Sequence, residues 1–125
     1  MNVEAILRQH ARSRAGKAMP ILSFPAARKL NATVEQLVTD PVLQAEAMAY
    51  IANETDTLAA VSPMDISVEA EAFGASVRFA PDEVPAVTGQ LVGDGEAAEA
   101  LRIPEPGAGR TGVFLEAIQI GRAHV

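Results

Sequence analysis

Residues 58–74 read Leu58-Ala59-Ala60-Val61-Ser62-Pro63-Met64-Asp65-Ile66-Ser67-Val68-Glu69-Ala70-Glu71-Ala72-Phe73-Gly74. The first five residues are an uninterrupted, mostly apolar run. Such a run lacks the alternation of a half-exposed strand and suits a strand covered on both faces. Pro63-Met64-Asp65 breaks it, and residues 66–73 have the composition of a short helix closed by Gly74. Strand, polar break, helix is the repeating unit of parallel α/β folds, which gather their functional residues just beyond the C-terminal ends of strands.

Upstream, Met19-Pro20-Ile21-Leu22-Ser23-Phe24 is a second short apolar run, predicted as a buried strand that Pro25 ends. Between the two runs lie two helix signals. Thr33 with Gln36 three residues on has capping-box spacing, which predicts a helix over 33–38. Asp40-Pro41 joins a carboxylate that can accept first-turn amides to a proline where no donor is needed. It predicts a helix over 41–54 with Leu43, Ala47, Tyr50 and Ile51 on one face. Residues 3–15 carry Val3, Ile6, Leu7 and Ala11 at helical spacing, with Arg8, Arg12 and Arg14 elsewhere and Gly16 as a stop.

Downstream of Gly74, Ser76-Val77-Arg78-Phe79 alternates and predicts an exposed strand. Residues 81–95 are rich in proline, glycine and acid and read as loop, with one strand at 86–92. A short helix follows at 96–101, then a 104–109 loop and a helix from 111 to 119. The order helix, strand, helix, strand, mixed excursion, helix is the opening of a parallel α/β fold.

The composition narrows function. Ten basic against sixteen acidic residues give a net charge of −6 over 125 residues. That disfavours nucleic acid and anionic membrane as partners, since both reward positive charge. With no cysteine there is no disulfide, thiolate metal site or cysteine nucleophile. His10 and His124 stand at opposite ends of the chain, so no paired-histidine metal motif is present. No apolar segment approaches the roughly 20 residues of a spanning helix. The N-terminus lacks the apolar run of a secretory signal, which points to the cytoplasm.

Asp65 is the leading candidate for chemistry. A carboxylate between Met64 and Ile66 is partly desolvated and suited to gripping N–H donors or protons. Its position equally suits a helix N-cap for 66–73. Glu69 and Glu71 fall on different sides of a helix and do not form an acid/base pair, so at least one is solvated surface. Asp82-Glu83 reads as a solubilising turn. Gly107-Ala108-Gly109-Arg110-Thr111-Gly112 lacks the lysine of a phosphate-binding loop and reads as a flexible linker. Arg28 and Lys29 are a weak candidate for an anionic ligand, with helix surface as the alternative. His10 has no neighbour in sequence that makes it a catalytic base.

Residues 63–74 resemble the uroporphyrinogen decarboxylase superfamily, which includes porphyrinogen decarboxylases and cobamide-dependent methyltransferases that serve coenzyme M. The methyltransferase branch carries a segment similar in length and content, with aspartate at the place of Asp65. The resemblance continues through Val77-Arg78-Phe79 and resumes at Gly109-Arg110 and Leu115-Glu116-Ala117-Ile118. It implies the N-terminal part of a (β/α)₈ TIM barrel, incomplete here because such a barrel needs about 250 residues. Residues 19–24 and 57–62 would be its first two strands, with Asp65 at the catalytic mouth as catalytic and substrate-binding residue.

The decarboxylase branch carries an arginine pair after the first strand that meets substrate carboxylates, where this chain has Pro25-Ala26-Ala27-Arg28-Lys29. Losing the first arginine counts against a polyacidic porphyrinogen. The resemblance therefore implies a methylcobamide:thiol methyltransferase. Its small-molecule thiol is activated by a zinc whose ligands lie outside this chain, and its methyl donor is a methylcobamide on a corrinoid protein. A porphyrinogen decarboxylase and a non-catalytic acidic interaction domain are the alternatives. A barrel cut after its first strands leaves strand edges open, so the isolated chain is expected to be inactive and prone to association.

Residues 120–125, Ile-Gly-Arg-Ala-His-Val, leave the family pattern inside a helix. A common short-read sequencing adapter, translated in one frame, gives these six residues and then a stop codon. They are expected to be a non-native tail following a domain over 1–119.

Overall fold

A computed structural model describes residues 2–12 and 16–123, with only the backbone of Val3, Arg122 and Ala123. Seven helices and two strands follow in order: α1 (Val3–Arg12), α2 (Ser23–Lys29), α3 (Val34–Thr39), α4 (Pro41–Glu54), α5 (Ser67–Ala72), β1 (Ser76–Ala80), β2 (Glu83–Thr88), α6 (Gly95–Glu99) and α7 (Thr111–Ala123). The predicted end of the first helix at 13–15 and His124 lie outside the described residues.

Local signals place the helices. Gln36 N donates to Thr33 Oγ1 at 3.0 Å and Thr33 N to Gln36 Oε1 at 2.9 Å, which completes the capping box of α3. Asp40 Oδ1 accepts from Val42 N and Leu43 N at 2.8 and 3.1 Å, and Pro41 opens α4. Gly74, at φ +102°, ends α5 where a side chain would be strained.

The core lies where α2, α3 and α4 meet. Ala26, Ala27, Leu37, Val38 and Ala47 are buried, with Phe24, Leu30, Tyr50, Ile51 and Phe79 packed around them. α4 also packs along α7, whose Ala117 is fully buried. With four phenylalanines, one tyrosine and no tryptophan in the chain, alanine contacts let these helices approach closely.

The two predicted buried strands are corrected. Residues 19–22 are irregular, and Ser23–Lys29 is helical. Pro25 stands in the first turn of α2, where its missing N–H costs nothing, so it belongs to a helix start and not to a strand end. Residues 57–62 form no ladder either. The two stretches still run side by side in the same direction. Leu58 N donates to Ala18 O at 3.0 Å, and Ser23 Oγ donates to Val61 O at 2.9 Å. One backbone bond does not make a ladder, and Met19, Ile21 and Leu22 remain about half exposed.

Among the described residues the sheet is a single antiparallel hairpin, β1 with β2, pairing Ser76 with Thr88, Val77 with Val87 and Arg78 with Ala86. The second strand therefore spans 83–88, not 86–92, and turns out at Gly89, φ +73°. The register slips between Arg78 and Ala80, opposite the stretch containing Pro85, which has no N–H to give. Phe79 lies at that slip.

Candidate functional site

Asp65 is held on both oxygens. Its Oδ1 accepts from Ser67 N at 2.9 Å and from Ser67 Oγ at 2.6 Å, while its Oδ2 accepts from Arg110 Nη1 at 2.6 Å. The N-cap of α5 is Ile66, one residue later, yet Asp65 still satisfies a first-turn amide, so the capping alternative is half right.

Arg110 is the centre of the cluster. Nε donates to Glu71 Oε2, Nη2 donates to Ser67 Oγ at 2.8 Å, and the guanidinium carbon stands 4.8 Å from the centroid of Phe79. Three oxygens and an aromatic face satisfy a cation that is 7% exposed, the arrangement a buried guanidinium requires. One arginine against Asp65 and Glu71 leaves a formal charge of −1 (1 − 2).

The predicted linker around Arg110 is corrected. Ala108 N donates to Glu105 O and Thr111 N to Ala108 O, so ordered turns lead into α7. Gly107 and Gly109 take φ of +89° and +54°, and a Cβ on Gly112 would stand 2.9 Å from Gly107 O. These glycines set a tight turn that aims Arg110 at Asp65. Glu71 and Phe79 complete the cluster. Neither Glu71 nor Arg110 is a site residue by local pattern, because their pairing spans 39 residues of chain. The one signal that could have found Arg110 is the resumption of the family resemblance at Gly109-Arg110.

The remaining candidates separate from this cluster. Arg28 and Lys29 are exposed in the last turn of α2, and Arg28 borders a second hollow with Asp82 and Phe24. Glu83 begins β2 and pairs with Arg78 at 3.3 Å. His10 Nε2 accepts from Lys17 N at 2.7 Å.

Beside the cluster, an open groove of about 550 Å³ runs between residues 62–73 and residues 104–115. Asp65 borders it with its backbone, since the side chain is 0% exposed. Glu69, Phe73, Glu105, Phe114 and Leu115 line its walls, and among the described residues no lysine, arginine or histidine does. Among the described residues, no three His, Cys, Asp or Glu side chains come together as a metal site. A zinc ion is therefore not accommodated by the residues described. No described helix is long and apolar enough to cross a membrane.

The family model of uroporphyrinogen decarboxylase (URO-D) matches residues 14–125. The chain belongs to the URO-D family. A solved methyltransferase from Methanosarcina mazei superposes on this URO-D family chain with a TM-score of 0.71 and 25% sequence identity. The match covers 87% of this chain and 32% of that one, so the chain spans about a third of the length of the matched structure. No curated protein matches the chain. The family match and the superposition bear out the α/β class and the incomplete barrel expected from the sequence, although among the described residues the ladder formed is the antiparallel hairpin.

Proposed function

We propose that this chain is the N-terminal part of a methyl-transferring URO-D family enzyme, with Asp65 as its functional carboxylate. The likeness to the Methanosarcina mazei methyltransferase supports the reading. So does Pro25-Ala26-Ala27 where a porphyrinogen-binding arginine would stand. The observation that carries most weight is the engagement of Arg110. Among the described residues, the buried cation near the groove is engaged by Asp65, Ser67 and Glu71 and is not free for a polyacidic porphyrinogen.

In this reading Asp65 acts from beneath the groove, with Arg110 holding Oδ2 and Ser67 holding Oδ1 in place. The zinc that this reading implies would have its ligands on another segment, and the chemistry it would supply is activation of a thiol acceptor of the coenzyme M kind. The methyl donor would be a methylcobamide on a corrinoid protein, and the setting cytoplasmic. This chain's part is to build one wall of the site and position Asp65.

The test extends the chain with its genomic continuation after Ile118 and assays the product. Methyl transfer from a methylcobamide to a thiol, lost in Asp65→Asn, supports the proposal. Carbon dioxide release from uroporphyrinogen, or an authentic stop codon after Val125, overturns it.

A further inference from the structure

The groove between residues 62–73 and 104–115 has a chemistry of its own. Phe73 and Phe114 present aromatic surface, and Ile66 and Leu115 add aliphatic surface. Ile66 is 82% exposed. Its charged liners besides the sequestered Asp65 are Glu69 and Glu105, neither of which has a side-chain partner among the described residues.

We infer that this groove binds an apolar ligand bearing a positive charge, of the alkylammonium type, and excludes anions. Aromatic rings attract cations through their quadrupole, and quaternary ammonium groups are recognised this way. Glu69 and Glu105 add long-range attraction at the rim. An anion finds no compensating cation among the described residues that line the groove, because the three guanidinium nitrogens of Arg110 already face Asp65, Ser67 and Glu71. The inference deepens the methyl-transfer proposal by naming the ligand class this wall accepts. It follows that the anionic end of a coenzyme M-type thiol would sit away from this wall.

The experiment titrates the 125-residue chain, at a dilution where sedimentation shows monomer, with butyltrimethylammonium and separately with butanesulfonate. Amide chemical shifts report the binding site. The cation is expected to shift Ile66, Phe73 and Thr111, and the sulfonate is not. Glu69→Gln with Glu105→Gln should weaken cation binding about fivefold. Glu46→Gln with Glu54→Gln on exposed α4 positions changes net charge equally and should leave binding within about twofold. Sulfonate binding as tight as the cation's overturns the inference. So does absence of cation shifts in the groove, or equal weakening by both glutamine pairs. Binding is read without turnover, so a failed methyl-transfer assay leaves this result standing, and the reverse holds too.

Discussion

Arg110 and Asp65 lie 45 residues apart in the chain and 2.6 Å apart in space, with side chains 8% and 0% exposed. Burial removes water from both charges, so each depends on the other for solvation. The pair also joins the two walls of the groove, because Asp65 precedes α5 and Arg110 precedes α7.

Asp65→Asn and Asp65→Ala are therefore expected to destabilise the protein by about 3–5 kcal/mol, since either leaves the guanidinium underpaired in a buried setting. Glu83→Gln breaks the exposed pair with Arg78 and should cost no more than about 1 kcal/mol. Denaturant midpoints of the variants measured side by side check the contrast. Equal losses would show that burial of the Arg110 pair is immaterial.

Gln44 is fully buried on α4 with its Nε2 donating to Leu37 O at 3.2 Å, while its Oε1 has no partner. A buried acceptor left unpaired is costly, on the order of 1–3 kcal/mol. Gln44→Met keeps the volume and removes the orphan but also the donor to Leu37 O, which Pro41 at i+4 cannot replace, so the two effects offset and the change should stay within about 1 kcal/mol. Gln44→Ala trades the orphan for a cavity and should destabilise by about 2 kcal/mol. Urea unfolding of the two variants decides the sign.

Gly112 and Gly121 both lie in α7 but should respond oppositely to alanine. A Cβ at Gly112 would stand 2.9 Å from the carbonyl oxygen of Gly107, whereas nothing lies within 4 Å of one at Gly121. Gly112→Ala must shift the turn that aims Arg110, and should cost about 1–3 kcal/mol. Gly121→Ala gains helix propensity and should stabilise by up to about 1 kcal/mol. Thermal unfolding and helical circular dichroism of both variants test the prediction.

Met19, Ile21, Leu22, Ile66 and Ile103 are all about half exposed or more, and Ile103 reaches 88%. So much uncovered aliphatic surface is expected to bind a hydrophobic dye and to drive concentration-dependent association. Sedimentation velocity across a hundredfold range of concentration measures it. Ile66→Ser with Ile103→Ser should weaken the association, and a monomer at every concentration would contradict the expectation.

Helix boundaries were legible in the sequence because their signals act over three or four residues. Thr33 finds Gln36, Asp40 finds the amides of Val42 and Leu43, and Gly74 supplies its own backbone freedom. Pro25 misled for the same local reason, since proline is equally at home after a strand and in a first helical turn. The strands were less legible. An apolar run such as 58–62 states that a segment prefers burial, but a ladder exists only when a neighbour offers its own N–H and C=O groups in register.

The sequence by itself determined the class of the fold and the caps that start α3 and α4, and it singled out Asp65 as a candidate. Only tertiary structure decided what Asp65 does with its charge. Its partner Arg110, and the Ser67, Glu71 and Phe79 that gather around that guanidinium, come from three separate stretches of chain. A buried carboxylate takes its behaviour from whichever cation and donors the fold brings against it, and no local pattern encodes a contact across 45 residues.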